Sequence, residues 1–292
     1  MAALGKAMIR RAALCCAALA TATLACLRSA TEQPPGAITS ALVALAAQFG
    51  ADADATTRAF ADLQSIALRV EKRHARSPAD VADDINAVIF GERGFEREID
   101  SAATRFFSLS SVLADRRGNC LGLGALYLAI GERIGLPLDG ILLPGHFFVR
   151  TRGLGRHNVE LLRRGEALPD GWYRQKYGPW PEPSSAYFRP LTVTELVAIH
   201  WFNRGNDLQL AGDLAAAESA YARAAREFPD FAEAQASLGA ARQRRGAFTE
   251  AEAAYHEAAR VWPDLPGLAG NLDLLRQQLA GAAEINRPPD RP

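Results

Sequence analysis

Cysteine is scarce where cross-linking would need it. The chain has four, at positions 15, 16, 26 and 120, and three of them lie in the first 26 residues. A disulfide framework needs pairs spread through the fold, so none is expected. Net charge is absent as well. The 33 basic residues balance the 33 acidic ones, which argues against a strongly cationic nucleic-acid binder. The uninterrupted run Ala12 to Ala25 is too short for a permanent membrane-spanning helix. Gly153-Leu154-Gly155 lacks the third glycine and the following helix of a phosphate loop. No paired-cysteine or histidine–glutamate helix motif points to a metal, so no cofactor is expected. What the chain does have is apolar substance. Of its 292 residues 49% are hydrophobic and 23% charged, enough to bury a core in one large or two ordinary domains.

The first 26 residues read as an export signal. Lys6, Arg10 and Arg11 form a basic start without acids, and Ala12 to Ala25 suits the apolar section of such a signal. Thr23-Leu24-Ala25-Cys26 resembles the bacterial lipoprotein box, in which the cysteine is lipidated, although that box prefers an aliphatic residue where Thr23 stands. The alternative is ordinary cleavage nearby. Either way the protein is expected to be exported, periplasmic or anchored to a membrane through Cys26, with Ser29 to Gly36 as a tether. Residues 1–26 hold three of the basic residues and none of the acidic ones, so the remainder carries a net charge of −3.

From residue 37 the pattern is helical. Ala37–Phe49 is Ala-rich, and Phe60, Leu63, Ile66, Ala67 and Val70 recur at helical spacing. Ser77-Pro78 is a helix start, Val81, Ile85, Val88 and Ile89 share one face, and Gly91 marks the end. Ser108–Asp115 is a shorter helix. Cys120–Ile134 is apolar nearly all round, which predicts a buried central helix, and its glycines permit close backbone approach. The period then changes. Gly140–Leu143, His146–Thr151 and Asn158–Leu162 read as strands, with a bulge or bend expected at Pro144-Gly145. The middle of the chain is therefore α+β.

The last third repeats. Gly205 and Gly239, Gly212 and Gly246, Ala217 and Ala251, Tyr221 and Tyr255, Ala225 and Ala259, and Pro229 and Pro263 are each 34 residues apart. This resembles two tetratricopeptide repeats over about residues 196–264. Leu268–Leu279 would cap them, and residues 281–292 would form a disordered tail. Two repeats are few for independent stability. They are expected to pack on the preceding domain through the aromatic stretch Trp172–Phe188, which is read as an interdomain linker rather than a binding groove. Arg242, Arg244 and Arg245 read as a solvated helix face.

Cys120 is the one thiol left for chemistry. It follows Arg116-Arg117-Gly118-Asn119 at a predicted helix start, where unpaired N–H groups and the helix dipole favour an anion and lower a thiol's pKa. Those N–H groups suit an oxyanion, and the arginines are expected to add positive charge. Such a nucleophile needs a base, and His146 sits at a strand start. The base needs an orienting acceptor. Asn158 and Glu160 lie on one face of the returning strand, either one diagonal to His146. The plain alternatives are a buried structural cysteine, a structural histidine, and a Glu160 paired with Arg150 or Arg163. His157 would be solvated, and His74, His200 and His256 carry no signal.

Gly118-Asn119-Cys120-Leu121, the helix closing at Gly135-Leu136-Pro137, and Pro144-Gly145-His146-Phe147-Phe148-Val149-Arg150 resemble the transglutaminase-like superfamily, nearest its SirB1-type bacterial branch. Ile85–Phe95 and Ser108–Asp115 extend the resemblance to about residues 55–192. It implies a papain/transglutaminase-like cysteine domain over 37–192, followed by an all-α tetratricopeptide-repeat domain over 193–280. It also implies Cys120 as nucleophile, His146 as base and acid, and Glu160 as the acid, where many relatives have Asp. Asn119 and Asn158 are supporting residues. The expected activity is a cysteine-dependent amide hydrolase or acyl transferase acting on a peptide or protein in the cell envelope. The competing expectation is a non-catalytic scaffold, with a buried thiol that lacks a histidine neighbour.

Overall fold

A computed structural model of the chain describes residues 36–73, 77–98, 107–153, 157–182 and 186–285. The expected export signal with Cys26, most of the expected tether, His74 and the end of the expected tail lie outside the described residues.

Four helices precede the sheet and surround one more. They are α1 (Ala37–Gln48), α2 (Ala53–Glu71), α3 (Pro78–Asn86) and α4 (Leu109–Asp115). Capping fixes their starts. Asp52, Ser77 and Ser108 each accept the N–H three residues on, which satisfies donors that have no intrahelical partner. Helix α3 does not stop at Gly91 but widens into a π-helical turn over Ala87–Glu92. The central helix α5 (Cys120–Arg133) is buried from Leu121 to Gly131, as its all-round apolar pattern predicts. Near its far end Glu132 accepts the Ile38 and Thr39 N–H groups and the Thr39 hydroxyl. The carboxylate thereby caps α1 and complements its dipole.

Two short parallel strands, β1 (Glu96–Arg97) and β2 (Arg117–Gly118), pair beside the start of α5. The main sheet is antiparallel in the order β3 (Leu138–Leu143), β4 (His146–Thr151), β5 (Asn158–Glu160) and β6 (Glu166–Leu168). Leu143 pairs with His146, so Pro144-Gly145 is a two-residue hairpin turn rather than a bulge. Strand β5 ends at Glu160, and residues 161–163 form a 3-10 turn that leads into β6. Exposed β6 was hidden because only three residues alternate there.

Alternation sorts the sheet into two faces. Phe147 points to α5, and its ring is held between two close backbone approaches. A Cβ at Gly124 would lie 2.3 Å from Phe147 Cε1, and one at Gly140 would lie 2.7 Å from Cζ. His146, Phe148, Arg150, Asn158 and Glu160 occupy the opposite face. That face is covered by α6 (Asp170–Tyr177).

Helices α7 (Val193–Leu210), α8 (Leu214–Glu227), α9 (Ala232–Arg244) and α10 (Phe248–Val261) follow as two antiparallel pairs, with α11 (Leu268–Ile285) behind them. The 34-residue period is physical. A Cβ at Gly205 would meet the Tyr221 ring at 2.5 Å, and one at Gly239 would meet the Tyr255 ring at 2.6 Å. Helix α11 runs six residues past the expected end of the cap, into what composition marked as tail. Glu218 holds both Arg242 and Arg245, so part of that arginine face is paired. Two aromatic contacts among the described residues join the repeating helices to the preceding elements. Tyr187 packs against Trp262 and donates to Glu233, within reach of the expected aromatic stretch. Phe49 at the end of α1 packs edge-on against Trp201 of α7, centroids 4.9 Å apart. This second contact was not expected.

His200 sits beside that contact, fully buried. Its Nδ1–H donates to Leu196 O at 2.8 Å, while Nε2 has no partner among the described residues. Burial pushes its pKa down to about 4, against the weaker opposing effect of the Leu196 carbonyl. The unfolded chain then binds an extra proton between about pH 6.5 and 4. Stability is retained above 6.5 and falls with pH across that window, by on the order of 3 kcal/mol for this group. Urea unfolding midpoints at both ends of the window are expected to fall less in His200→Gln than in the native chain. Equal falls would remove His200 from the acid response.

Candidate functional site

Asn119 and Cys120 are brought to the site by a helix start. Gly118 leads in with a tight approach to Leu123. Asn119 is the N-cap, its side chain accepting the Gly122 N–H at 2.9 Å. The Asn119 carbonyl takes the Leu123 N–H. Asn119 therefore supports the site through helix geometry. The N–H groups of Cys120 and Leu121, the first two residues of the helix, have no intrahelical acceptor. Cys120 is half-buried and unpaired.

His146 opens β4 directly after the hairpin turn and is buried. The register pairs Arg150 with Asn158 and Val149 with Val159. Continued one step, it sets Glu160 opposite Phe148 and diagonal to His146. The longer glutamate side chain spans that diagonal. His146 Nε2 lies 2.8 Å from Glu160 Oε2, and Glu160 Oε1 accepts the Leu162 N–H at 3.1 Å. Both carboxylate oxygens are occupied, so the acid is held at two points. With Nε2 on the acid, Nδ1 is the nitrogen left for Cys120, whose side chain is near enough to raise the ring's pKa.

Burial opposes a charge on His146. The hydrogen bonds from Cys120 and Glu160, and then their charges, outweigh it and push the pKa up to about 9. These contacts favour the protonated form of the ring. Tyr177 stacks on it, centroids 4.3 Å apart and planes 2° from parallel. Tyr173 stacks on Phe148 at 4.0 Å. The Tyr173 hydroxyl is buried beside Glu160 without a close hydrogen bond. Burial first, and then the Glu160 charge, push the pKa of both phenols up, so both remain neutral.

The reserve acceptor Asn158 is used elsewhere. Its Oδ1 accepts from Arg150 Nε at 2.6 Å, and its amide donates to Leu168 O and Asp170 Oδ1. Arg150 reaches the same Asp170 oxygen at 2.8 Å and lies over the Phe188 ring. Asn158 thus hydrogen-bonds a buried arginine, whose charge Asp170 balances, and fastens α6 to the sheet, leaving the histidine to Glu160. Part of the expected positive charge near the thiol is also spent. Arg117 faces Glu96 and Glu98 at 3.5 Å each, and Arg116 donates to Arg93 O. His157 sits at the other end of β4 against Thr151. The segment Trp172–Tyr177 is a helix that forms a wall of the site, not the linker its composition suggested. Only the dense tyrosine and tryptophan spacing hinted at this.

A half-buried thiol at the start of a buried helix, with a histidine and an acid that meet on an antiparallel sheet, resembles the arrangement of the papain and transglutaminase class of cysteine-dependent folds. Residues 57–199 match the family model of the transglutaminase-like superfamily. That segment is a transglutaminase-like domain, of a superfamily that includes cysteine-dependent transamidases and peptidases. Two curated relatives, each a UPF0162 protein, come from Xylella fastidiosa strains Temecula1 and 9a5c. Each is 34% identical over 67 residues, which are 23% of this chain and 24% of the relative. The chain thus spans about a quarter of the length of these relatives. Among solved structures, the crystal structure of menin that reveals its binding site for Mixed Lineage Leukemia protein aligns at a TM-score of 0.43. Identity is 14%, over 79% of this chain and 66% of menin.

Proposed function

We propose that this chain is an exported cysteine-dependent amide hydrolase or acyl transferase, with Cys120 as nucleophile, His146 as acid and base, and Glu160 orienting the histidine. The observation that carries the reading is the His146 ring fixed at 2.8 Å by the doubly held Glu160 carboxylate, with the Cys120 side chain near enough to raise that ring's pKa. The sulfur attacks the amide carbonyl carbon and a C–S bond forms. The thiol proton, held on His146, passes to the leaving nitrogen as the C–N bond breaks. The N–H groups of Cys120 and Leu121 receive the transient oxyanion. Water or an amine then attacks the thioester, gives a proton to His146, and releases the acyl group and the sulfur.

The export signal of residues 1–26, with Cys26 as a lipid anchor, supports an envelope setting and a peptide or protein substrate. The 34-residue period, with its paired glycine and tyrosine contacts, supports reading α7 to α10 as tetratricopeptide repeats that hold a partner. The decisive measurement is the alkylation rate of Cys120 by iodoacetamide at about pH 6. It is expected to exceed that of glutathione by about tenfold or more. A rate no higher than glutathione's would overturn the enzymatic reading in favour of a non-catalytic scaffold.

A further inference from the structure

A second feature is a cleft whose lining adjoins the site residues in sequence and register. The cleft, of about 650 Å³, lies between β1 and the turn that follows Glu160. Each wall is a short step along the chain or the strand register from a residue proposed as catalytic. Arg97 pairs with Gly118, two residues before Cys120, and Leu161 and Leu162 directly follow Glu160. Phe90, Phe95, Leu161 and Leu162 give the cleft apolar surface, and three arginines and two glutamates give it charge.

The charges do not cancel locally. Glu166 pairs with Arg163, and Glu96 faces Arg117 outside the cleft. Arg97 and Arg164 have no carboxylate partner among the described residues. Each instead spends one N–H on a main-chain carbonyl of the opposite wall. Arg97 Nη1 donates to Leu162 O at 2.9 Å, and Arg164 Nη2 donates to Phe90 O at 2.6 Å. Arg164 also lies over the Phe90 ring, 5.7 Å from its centroid. It holds a left-handed backbone conformation at φ 57°, which a side chain other than glycine adopts only at a cost. Two fixed guanidiniums with unused donors suit a carboxylate, which accepts from an arginine fork in two places.

We propose that this cleft recognises a carboxylate of the substrate through Arg97 and Arg164, so that the preferred substrate is an acidic peptide. The proposal rests on Cys120 being the nucleophile. N-Iodoacetyl-Glu-Glu amide and N-iodoacetyl-Gln-Gln amide carry the same reactive group and differ only in charge. At low ionic strength Cys120 is expected to react about tenfold faster with the acidic reagent, and the preference is expected to shrink in high salt. In Arg97→Gln/Arg164→Gln the preference falls to near unity, while the rate with the uncharged reagent is retained. Arg163→Gln keeps the preference. A reactive Cys120 with no preference, or one indifferent to the double substitution, overturns the acidic-substrate inference alone. The unreactive acetyl-Glu-Glu amide, titrated into Cys120→Ala and followed by NMR, separates the two readings. If Cys120 proves inert while this peptide binds through the two arginines, the enzymatic reading falls and the anion site stands.

Discussion

Replacing His146 with Ala slows acylation of Cys120 by p-nitrophenyl acetate about 100-fold or more at neutral pH, the usual scale for removing a positioned acid–base group. The geometry explains why the effect is large. The ring is fixed by the Glu160 carboxylate at 2.8 Å and by the stacked Tyr177, so no other side chain can take its place. Reaction of the Cys120→Ala chain supplies the background to subtract. Glu160→Gln is expected to be milder, about tenfold. Its single carbonyl oxygen can satisfy His146 or the Leu162 N–H but not both. The pH profile gives a second readout. His146 titrates at about 9 because contacts with Cys120 and Glu160 overcome burial, so activity should change near that pH on the alkaline side. Stability follows the same sign. The folded-state pKa is raised, so the charged ring stabilises fully below about pH 6.5. That contribution is lost as pH rises through 9. Unchanged acylation in His146→Ala would remove the histidine from the reaction.

Substituting Gly124 with Ala, although a gain of helix propensity, destabilises the chain by about 2 kcal/mol and lowers Tm by roughly 5 °C. The added Cβ would stand 2.3 Å from Phe147 Cε1, and Gly140 backs the same ring from another side. Phe147 is 1% exposed and has no room to turn away. The intrinsic preference for Ala over Gly, about 1 kcal/mol, offsets only part of the overpacking. Gly270 in α11 is the control, since a Cβ there meets nothing within 4 Å. Gly270→Ala is expected to stabilise by up to about 1 kcal/mol. Opposite signs for one chemical change would show that contact, rather than propensity, decides. Gly124→Ala should also weaken Cys120 reactivity, because α5 and β4 would part and carry thiol and ring with them. Calorimetry of both variants and the iodoacetamide rate of the first check this. A stabilised Gly124→Ala would refute the packing argument.

Much of this was legible in the residues. The all-round apolar α5 and the change from helical to alternating spacing after Pro137 place a buried helix ahead of a sheet. The order of cysteine, histidine and acid included the histidine and the acid that meet, His146 and Glu160. Short elements were not legible. Strand β6 and helix α6 lack the length for a periodic signal, and α6 owes its place to Arg150, Asn158 and Asp170 meeting across three elements.

The sequence by itself determined which groups are available, a lone thiol beyond residue 26, a histidine after a turn, and two polar side chains on one strand face. It also determined the 34-residue spacing, because local propensity and period are properties of neighbours along the chain. Tertiary structure alone decided which partner each group takes. Asn158 and Glu160 are equivalent by alternation, and only the register of β4 on β5, with the reach of a glutamate side chain, assigns the acid to His146. It likewise turned Arg117 toward Glu96 and Glu98 and left Arg97 and Arg164 in the cleft with no carboxylate partner among the described residues, because pairing of charges depends on distances across the fold that no local pattern encodes.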